Sequence, residues 1–332
     1  MSESSIHFDL NAINTNFKDH GLFGPNSISW KVWSHPAAFI GLTRSFYIEV
    51  LASIDAAAAL SDRATYKSDP IGRLSRTMTY FLTVIFADTE TVSKANQRLF
   101  KLHSHIKGDI PLTGQQYSAL DPLLVVGTHL ITWHSVYYAY EKLVGKLPAK
   151  EEAQFFRESV QYLISLQEVY PNLSIETVKE SARKHGYAME KIGDLTDLPQ
   201  TRQEFRTYIQ LTNSKAAITQ QTRDIINILL DPSGVETDDQ VMQMILKFYP
   251  VLKTIVVALT PKEICKLAGL PRSAMKDKIA IQSGKALVKA MQAPAVLKIF
   301  QEKIAMQGYQ LMHQAMIYSK NPSSTESLQK IA

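Results

Sequence analysis

Helix-start signals recur from one end of this sequence to the other, and they limit the fold more than any other feature. "TRQE" (Thr201 to Glu204), "TDDQ" (Thr237 to Gln240) and "TPKE" (Thr260 to Glu263) are capping boxes. In each, a Thr hydroxyl and a Glu or Gln three residues on satisfy each other's orphan amides. Asp69-Pro70 and Asp121-Pro122 are Asp-led starts with proline at the first helical position. Gly108, Gly186 and Gly269 fall where helix ends are expected. Sustained period-two alternation is missing and β-branched runs are short, so the expected fold is all-α: a single large multi-helix domain of about a dozen helices. No fixed-period repeat suggests a solenoid.

Residues 1–20 read as an N-terminal segment, 21–320 as the helical domain, and 321–332 ("NPSSTESLQKIA") as a disordered tail. At 332 residues, 45% of them apolar, the chain can fill a substantial core. Its formal charge of +5 comes with both signs spread along the sequence, which is not the gathered basic face that phosphate binding needs, so no nucleic-acid partner is expected. The first residues show neither a signal-peptide pattern nor an Arg-rich transit helix. The single cysteine, Cys265, excludes an internal disulfide and reads as a small buried apolar residue. A reducing, cytoplasmic setting is the expectation. The uncharged run Pro122 to Tyr140 is long enough to cross a bilayer, but its histidines, tyrosines and hydroxyls favour burial within a helical domain.

The chemistry centres on "RLFKLHSHIKGD", Arg98 to Asp109. The pattern predicts a helix over about 90–107, on which histidines two positions apart diverge by about 200° and cannot share a site. Leu99, Leu102, His103 and Ile106 form an apolar stripe, so His103 is expected to face the core and His105 the solvent. His129 and His134 lie on apolar faces of the helix after Asp121, where one of them could look into a cavity. In "DPIGRLSRTMTYFLTVIFAD" the stretch from Met78 to Ala87 is apolar nearly all round, and Arg73 and Thr77 share a face just before it. A buried arginine needs an anionic partner. Asp62, Asp69 and Glu49 are the protein's candidates, and a substrate carboxylate or haem propionate is the functional alternative.

Several separated stretches together resemble one family, the MpaB-type oxygenases and the bacterial rubber oxygenases called latex-clearing proteins. They are "GPNSISWKVWSHPAAFIG" (Gly24 to Gly41), the Asp69 to Asp88 segment, "LHSHIKG" (Leu102 to Gly108), "YSALDPLLVVGTHL" (Tyr117 to Leu130), "DLPQTRQEFRTY" (Asp197 to Tyr208) and "AGLP" (Ala268 to Pro271). The resemblance implies an all-α haem b protein that uses O₂ to cleave an isoprenoid carbon-carbon double bond. It implies that His103 is the haem ligand, that Arg73 and Thr77 match the family's Arg-x-x-x-Thr pair, and that His129 matches a further histidine position. On that reading Arg73, Thr77 and His129 are the expected catalytic residues, with Arg73 also anchoring a haem propionate and His129 the distal partner in the pocket. The expected partners are therefore haem iron, O₂ and an unsaturated apolar small molecule. The chain departs from the family in "FYIEVLASIDAAAA" (Phe46 to Ala59), where no His-Pro pair follows and Glu49 is the carboxylate nearest that place.

Two other readings stand beside this one. A carboxylate-bridged non-haem centre would use inward Glu-x-x-His pairs, and the sequence has none. A lipid or small-molecule carrier could keep the fold without the chemistry, with Trp30 and Trp33 as core anchors and Gly24-Pro25 as a turn. Two segments, Lys247 to Pro261 and Ser273 to Met316, could also lie on a lipid surface, although ordinary packed helices with solvated lysines explain them too.

Overall fold

Asp88 begins a helix by accepting the Thr91 amide at 2.9 Å, and Asp69 and Asp121 do the same for the helices that follow their prolines. Repeated along the chain, such starts build the molecule. A computed structural model describes residues 17–61, 69–110, 112–186, 199–213, 216–230, 238 and 240–320. Its helices are α1 (Ile28–Trp33), α2 (Ala37–Ala52), α3 (Ile54–Ser61), α4 (Pro70–Phe86), α5 (Thr89–His103), α6 (Pro122–Leu143), α7 (Ala149–Gln167) and α8 (Ile175–Lys184). Then follow α9 (Arg202–Asn213), α10 (Gln220–Leu230), α11 (Gln240–Leu259), α12 (Lys262–Leu267), α13 (Ala274–Met291), α14 (Pro294–Lys303) and α15 (Met306–Lys320). The expected 1–16 part of the N-terminal segment, the 321–332 tail, Asp62 and the start of the Thr237 capping box lie outside the described residues.

The core is organised on α6, which runs against α2 and also touches α1, α7, α8, α9 and α13. The uncharged Pro122 to Tyr140 run is the apolar centre of this helix, and Leu130, Trp133, Val136 and Tyr137 are fully enclosed. Gly41 permits the close approach of α2: a Cβ there would stand 2.4 Å from the Val136 Cα. Every residue of α4 from Met78 to Phe86 is buried, under α15 and beside α1 and α5. Trp30 and Trp33 are core anchors, with the Trp30 indole donating to the Ile85 carbonyl at 2.9 Å. Gly24 makes its turn at φ 75°.

The chain differs from the sequence expectation at three places. Helix α5 ends at His103 rather than near residue 107, and a short antiparallel ribbon follows, β1 (Lys107–Asp109) with β2 (Gln116–Ser118), pairing Gly108 with Tyr117. Gly108 is therefore a strand residue and not a helix end. The Thr260 box does not form: Thr260 turns its hydroxyl back to the Val256 carbonyl at 2.8 Å, and Pro261 takes the cap position of α12. The Thr201 box does form, with Glu204 accepting the Thr201 amide at 3.0 Å and donating its own amide to the Thr201 hydroxyl at 3.3 Å.

Candidate functional site

Four helices bring one polar group each to the same region: Glu49 from α2, Arg73 from α4, His103 from the last turn of α5 and Thr128 from α6. Glu49 is half-buried, and its Oε1 is enclosed without a hydrogen-bond partner. Burial pushes its carboxyl up to about 8, against smaller opposing pulls from Thr128 and from the Arg73 charge. His103 is also half-buried, with Nδ1 enclosed and unpartnered. Burial, and then the Arg73 charge, bring its imidazole down to about 4. The same guanidinium thus acts on both groups. At neutral pH the imidazole is uncharged and the carboxyl is largely protonated.

A cavity of about 50 Å³ opens beside this cluster, lined among others by Glu49, Thr128, Asp55, Asp121, His185 and Tyr208. It has room for about one or two water-sized groups. A macrocycle seated on His103 therefore needs space other than this cavity. At its rim His185, the residue that ends α8, stands 3.6 Å from Asp55 on α3 and 3.7 Å from Asp121 at the start of α6. Asp121 additionally accepts the Ser181 hydroxyl at 2.6 Å and the Leu123 amide at 2.9 Å. Against the cost of burial, its carboxyl is held below the usual range by His185 first and then by the Ser181 hydroxyl and the Leu124 amide, whereas burial raises that of Asp55, whose Oδ1 has no partner. A second cavity, of about 20 Å³, is lined by Thr43, Tyr47, Leu74 and Tyr249 among others. Neither cavity is lined by Arg73, Thr77, His103 or His129.

The remaining sequence candidates disperse. Thr77 donates its hydroxyl to the Arg73 carbonyl at 3.1 Å, so it braces the turn that presents the arginine. His105 lies beyond the end of α5, exposed, with Nδ1 2.7 Å from the Lys101 carbonyl. Leu102, expected in the inward stripe, is 36% exposed; the inward positions are Leu99, Phe100 and His103. His129 is buried on another face of α6 from the cavity-lining Thr128, between Trp133 and Tyr162, with ring centroids at 5.2 and 4.8 Å. Burial brings it down to about 3, against a smaller opposing pull from the Ser159 backbone, to which neither nitrogen makes a hydrogen bond of good geometry. His134 is stacked on Tyr138 and does not look into either cavity. Of the anionic partners foreseen for Arg73, Asp69 pairs instead with Arg76 at 2.9 Å, and Glu49 is the carboxyl that shares the region of Arg73. Thr128 and the His185 clasp had no local signal in the sequence.

Fold and site together define an all-helical protein with an acid, a cation and a neutral imidazole gathered inside it. The family model described as "ER-bound oxygenase mpaB/B'/Rubber oxygenase, catalytic domain" matches residues 30–293, and the chain belongs to that family. No curated protein and no solved structure matches it.

Proposed function

We propose that this chain is a haem b oxygenase that uses O₂ to oxidise, and in the fullest form to cleave, a carbon-carbon double bond of an unsaturated apolar small molecule of isoprenoid or lipid-like kind. The observation that carries this reading is the convergence of Glu49, Arg73 and His103, three residues of different helices that share one electrostatic environment. The donor chemistry fits the group. A ligating imidazole must be neutral and offer a nitrogen not already engaged, and His103 is held neutral by burial with Nδ1 unpartnered.

His103 would hold the iron, and Arg73 would take a haem propionate, which a guanidinium matches in charge and shape. Bound haem would supply the activation of O₂. Glu49 works near neutral pH, because a carboxyl pushed up to about 8 exchanges a proton readily under those conditions. Its enclosed Oε1 is the atom that would take a proton from the substrate or return one. Thr77 positions Arg73 through the α4 backbone. His129, Trp133 and Tyr162 form a buried wall that keeps water from the interior.

Titration of the purified chain with haemin, followed by absorption, tests the reading. A Soret band that saturates at one haem per chain is expected for the wild type, for His105→Ala and for His129→Phe, and its loss is expected in His103→Ala. A wild type that never develops the band, or a His103→Ala spectrum identical to it, overturns the proposal.

A further inference from the structure

Both signs occur throughout the chain, but their balance shifts toward its C-terminal part. From Lys247 to Lys320 there are 12 Lys and Arg against 3 Asp and Glu, in a protein whose formal charge is only +5, so the remainder of the chain is net negative. Helix α13 lies in the middle of this basic region. One face of it, Ala280, Gly284, Val288 and Met291, is buried. The helix packs on α6 and α11, and Gly284 sits so close that an added Cβ would be 2.7 Å from Leu143 and 3.1 Å from Ile255. The position of the opposite face is therefore fixed.

That outer face has a definite order. At about 100° per residue, Met275, Ile279, Ala286 and Ala290 fall within an arc of roughly 60°. Lys278, Lys285 and Lys289 flank the arc on one side and Lys276 on the other, and all eight residues are exposed. Met275 is 75% and Ile279 60% exposed, large values for such side chains. Asp277, the one acidic residue of the helix, is turned away and held by Arg272 at 2.8 Å. None of the ion pairs among the described residues engages Lys276, Lys278, Lys285 or Lys289.

We propose that this face of α13 is a docking surface for an anionic lipid membrane. An apolar strip bordered by lysines is the arrangement with which a helix lies in the interface plane: the strip enters the acyl boundary and the lysine stems reach outward to anionic headgroups. A second copy of the chain does not fit, because the same basic face would meet itself without carboxylates to neutralise it. A nucleic acid would engage the lysines and leave Met275 and Ile279 facing phosphates and water. Among the described residues no single helix is long and apolar enough to cross a bilayer, and α2 with α3 meets that test only as a pair bent by 108°. The proposed mode is attachment by the face of α13. It shares no residue with the Glu49, Arg73 and His103 cluster and does not rest on the oxygenase reading.

The test is co-sedimentation of the full chain with vesicles of phosphatidylcholine alone and of phosphatidylcholine with phosphatidylserine. Binding is expected to the anionic vesicles only. It should be released when ionic strength rises from about 0.1 M to about 1 M, which shortens the screening length from about 10 Å to about 3 Å. Met275→Asp with Ile279→Asp, and separately Lys278→Glu with Lys285→Glu, should each weaken partitioning by about tenfold or more, as expected of paired apolar and electrostatic anchors. These positions point outward, so circular dichroism and melting temperature should match the wild type. The proposal is overturned by equal partitioning to neutral vesicles, by no partitioning, or by variants that bind as the wild type does. It is equally overturned if the aspartate pair only dissolves a dimer seen by light scattering, or if single-stranded RNA binds where vesicles do not.

Discussion

Glu49 carries the most informative titration in the molecule. Its folded value of about 8 lies above the ordinary 4.5, so the fold favours the protonated form. The corresponding stability is fully present below the ordinary carboxylate range and is lost as pH rises through about 8. His103 has the opposite sign: brought down to about 4, it contributes above the usual histidine range and loses that contribution as pH falls toward 4. Comparing the wild type with Glu49→Gln isolates the first effect, since both proteins keep His103. The amide should leave stability near the wild-type value at pH 5 and exceed it by pH 8.5, by on the order of 1–3 kcal/mol. Melting curves across that range check this, and a difference that does not vary with pH refutes the assignment. The sequence offered half of this picture. The separation of an inward His103 from an outward His105 is found, but its cause is the end of α5 at His103, not the angle between two positions of one helix. Glu49 was visible only as a carboxylate in an apolar stretch, because what gives it meaning, Arg73 and Thr128, arrives from distant helices.

At the scale of elements, legibility follows from where the stabilising contact lies. Asp69, Asp121 and Thr201 cap their helices with neighbours two or three residues away, and their starts were readable from a few letters. Thr260 has the same letters, yet the carbonyl of Val256 in the preceding helix competes for its hydroxyl and wins. The β1–β2 ribbon has three residues per strand, too few to display alternation. Helix α1 shows the long-range extreme. Its Ile28 and Ser29 amides donate to the Glu158 carboxylate of α7 at 3.0 and 2.7 Å, and the Ser29 hydroxyl adds a third bond at 2.6 Å. The Gln154 side-chain amide donates to the same carboxylate at 2.8 Å. A buried carboxylate with four donated hydrogen bonds contributes more than a neutral contact, because its removal strands them all. Glu158→Ala should therefore cost about 3 kcal/mol, or roughly 4 °C in melting temperature. Glu158→Gln, which keeps one acceptor oxygen, should lose less. Thermal denaturation of the two variants decides it, and an unchanged alanine variant removes Glu158 as the anchor of α1.

On the scale of the whole molecule, what matters is how separate helices are held around one interior. Hydrophobic periodicity predicted that α4 and α6 would be enclosed, but periodicity is a local quantity and is silent on which polar residues face one another across helices. The His185 clasp is such a case, joining the end of α8 to α3 through Asp55 and to α6 through Asp121, at the rim of the cavity that reaches Glu49. Its imidazole is raised above the ordinary 6.5, first by Asp121, against the cost of burial and with further help from Asp55. The sign follows from that direction: the charged clasp stabilises the fold fully below about 6.5 and the contribution disappears as pH rises through the elevated folded value. With His185 about one-fifth exposed, the effect is discounted for solvent to about 1 kcal/mol, or roughly 1.5 °C for a chain of this size. His185→Gln should accordingly melt below the wild type at pH 6 and converge with it at pH 9. Hydrogen exchange adds a spatial readout: at pH 6 the substitution should speed exchange in α3, α8 and the first turns of α6 together, and leave the buried half of α4 unchanged. If exchange rises only beside residue 185, or the melting gap persists at pH 9, the three helices are held by apolar packing and not by the clasp.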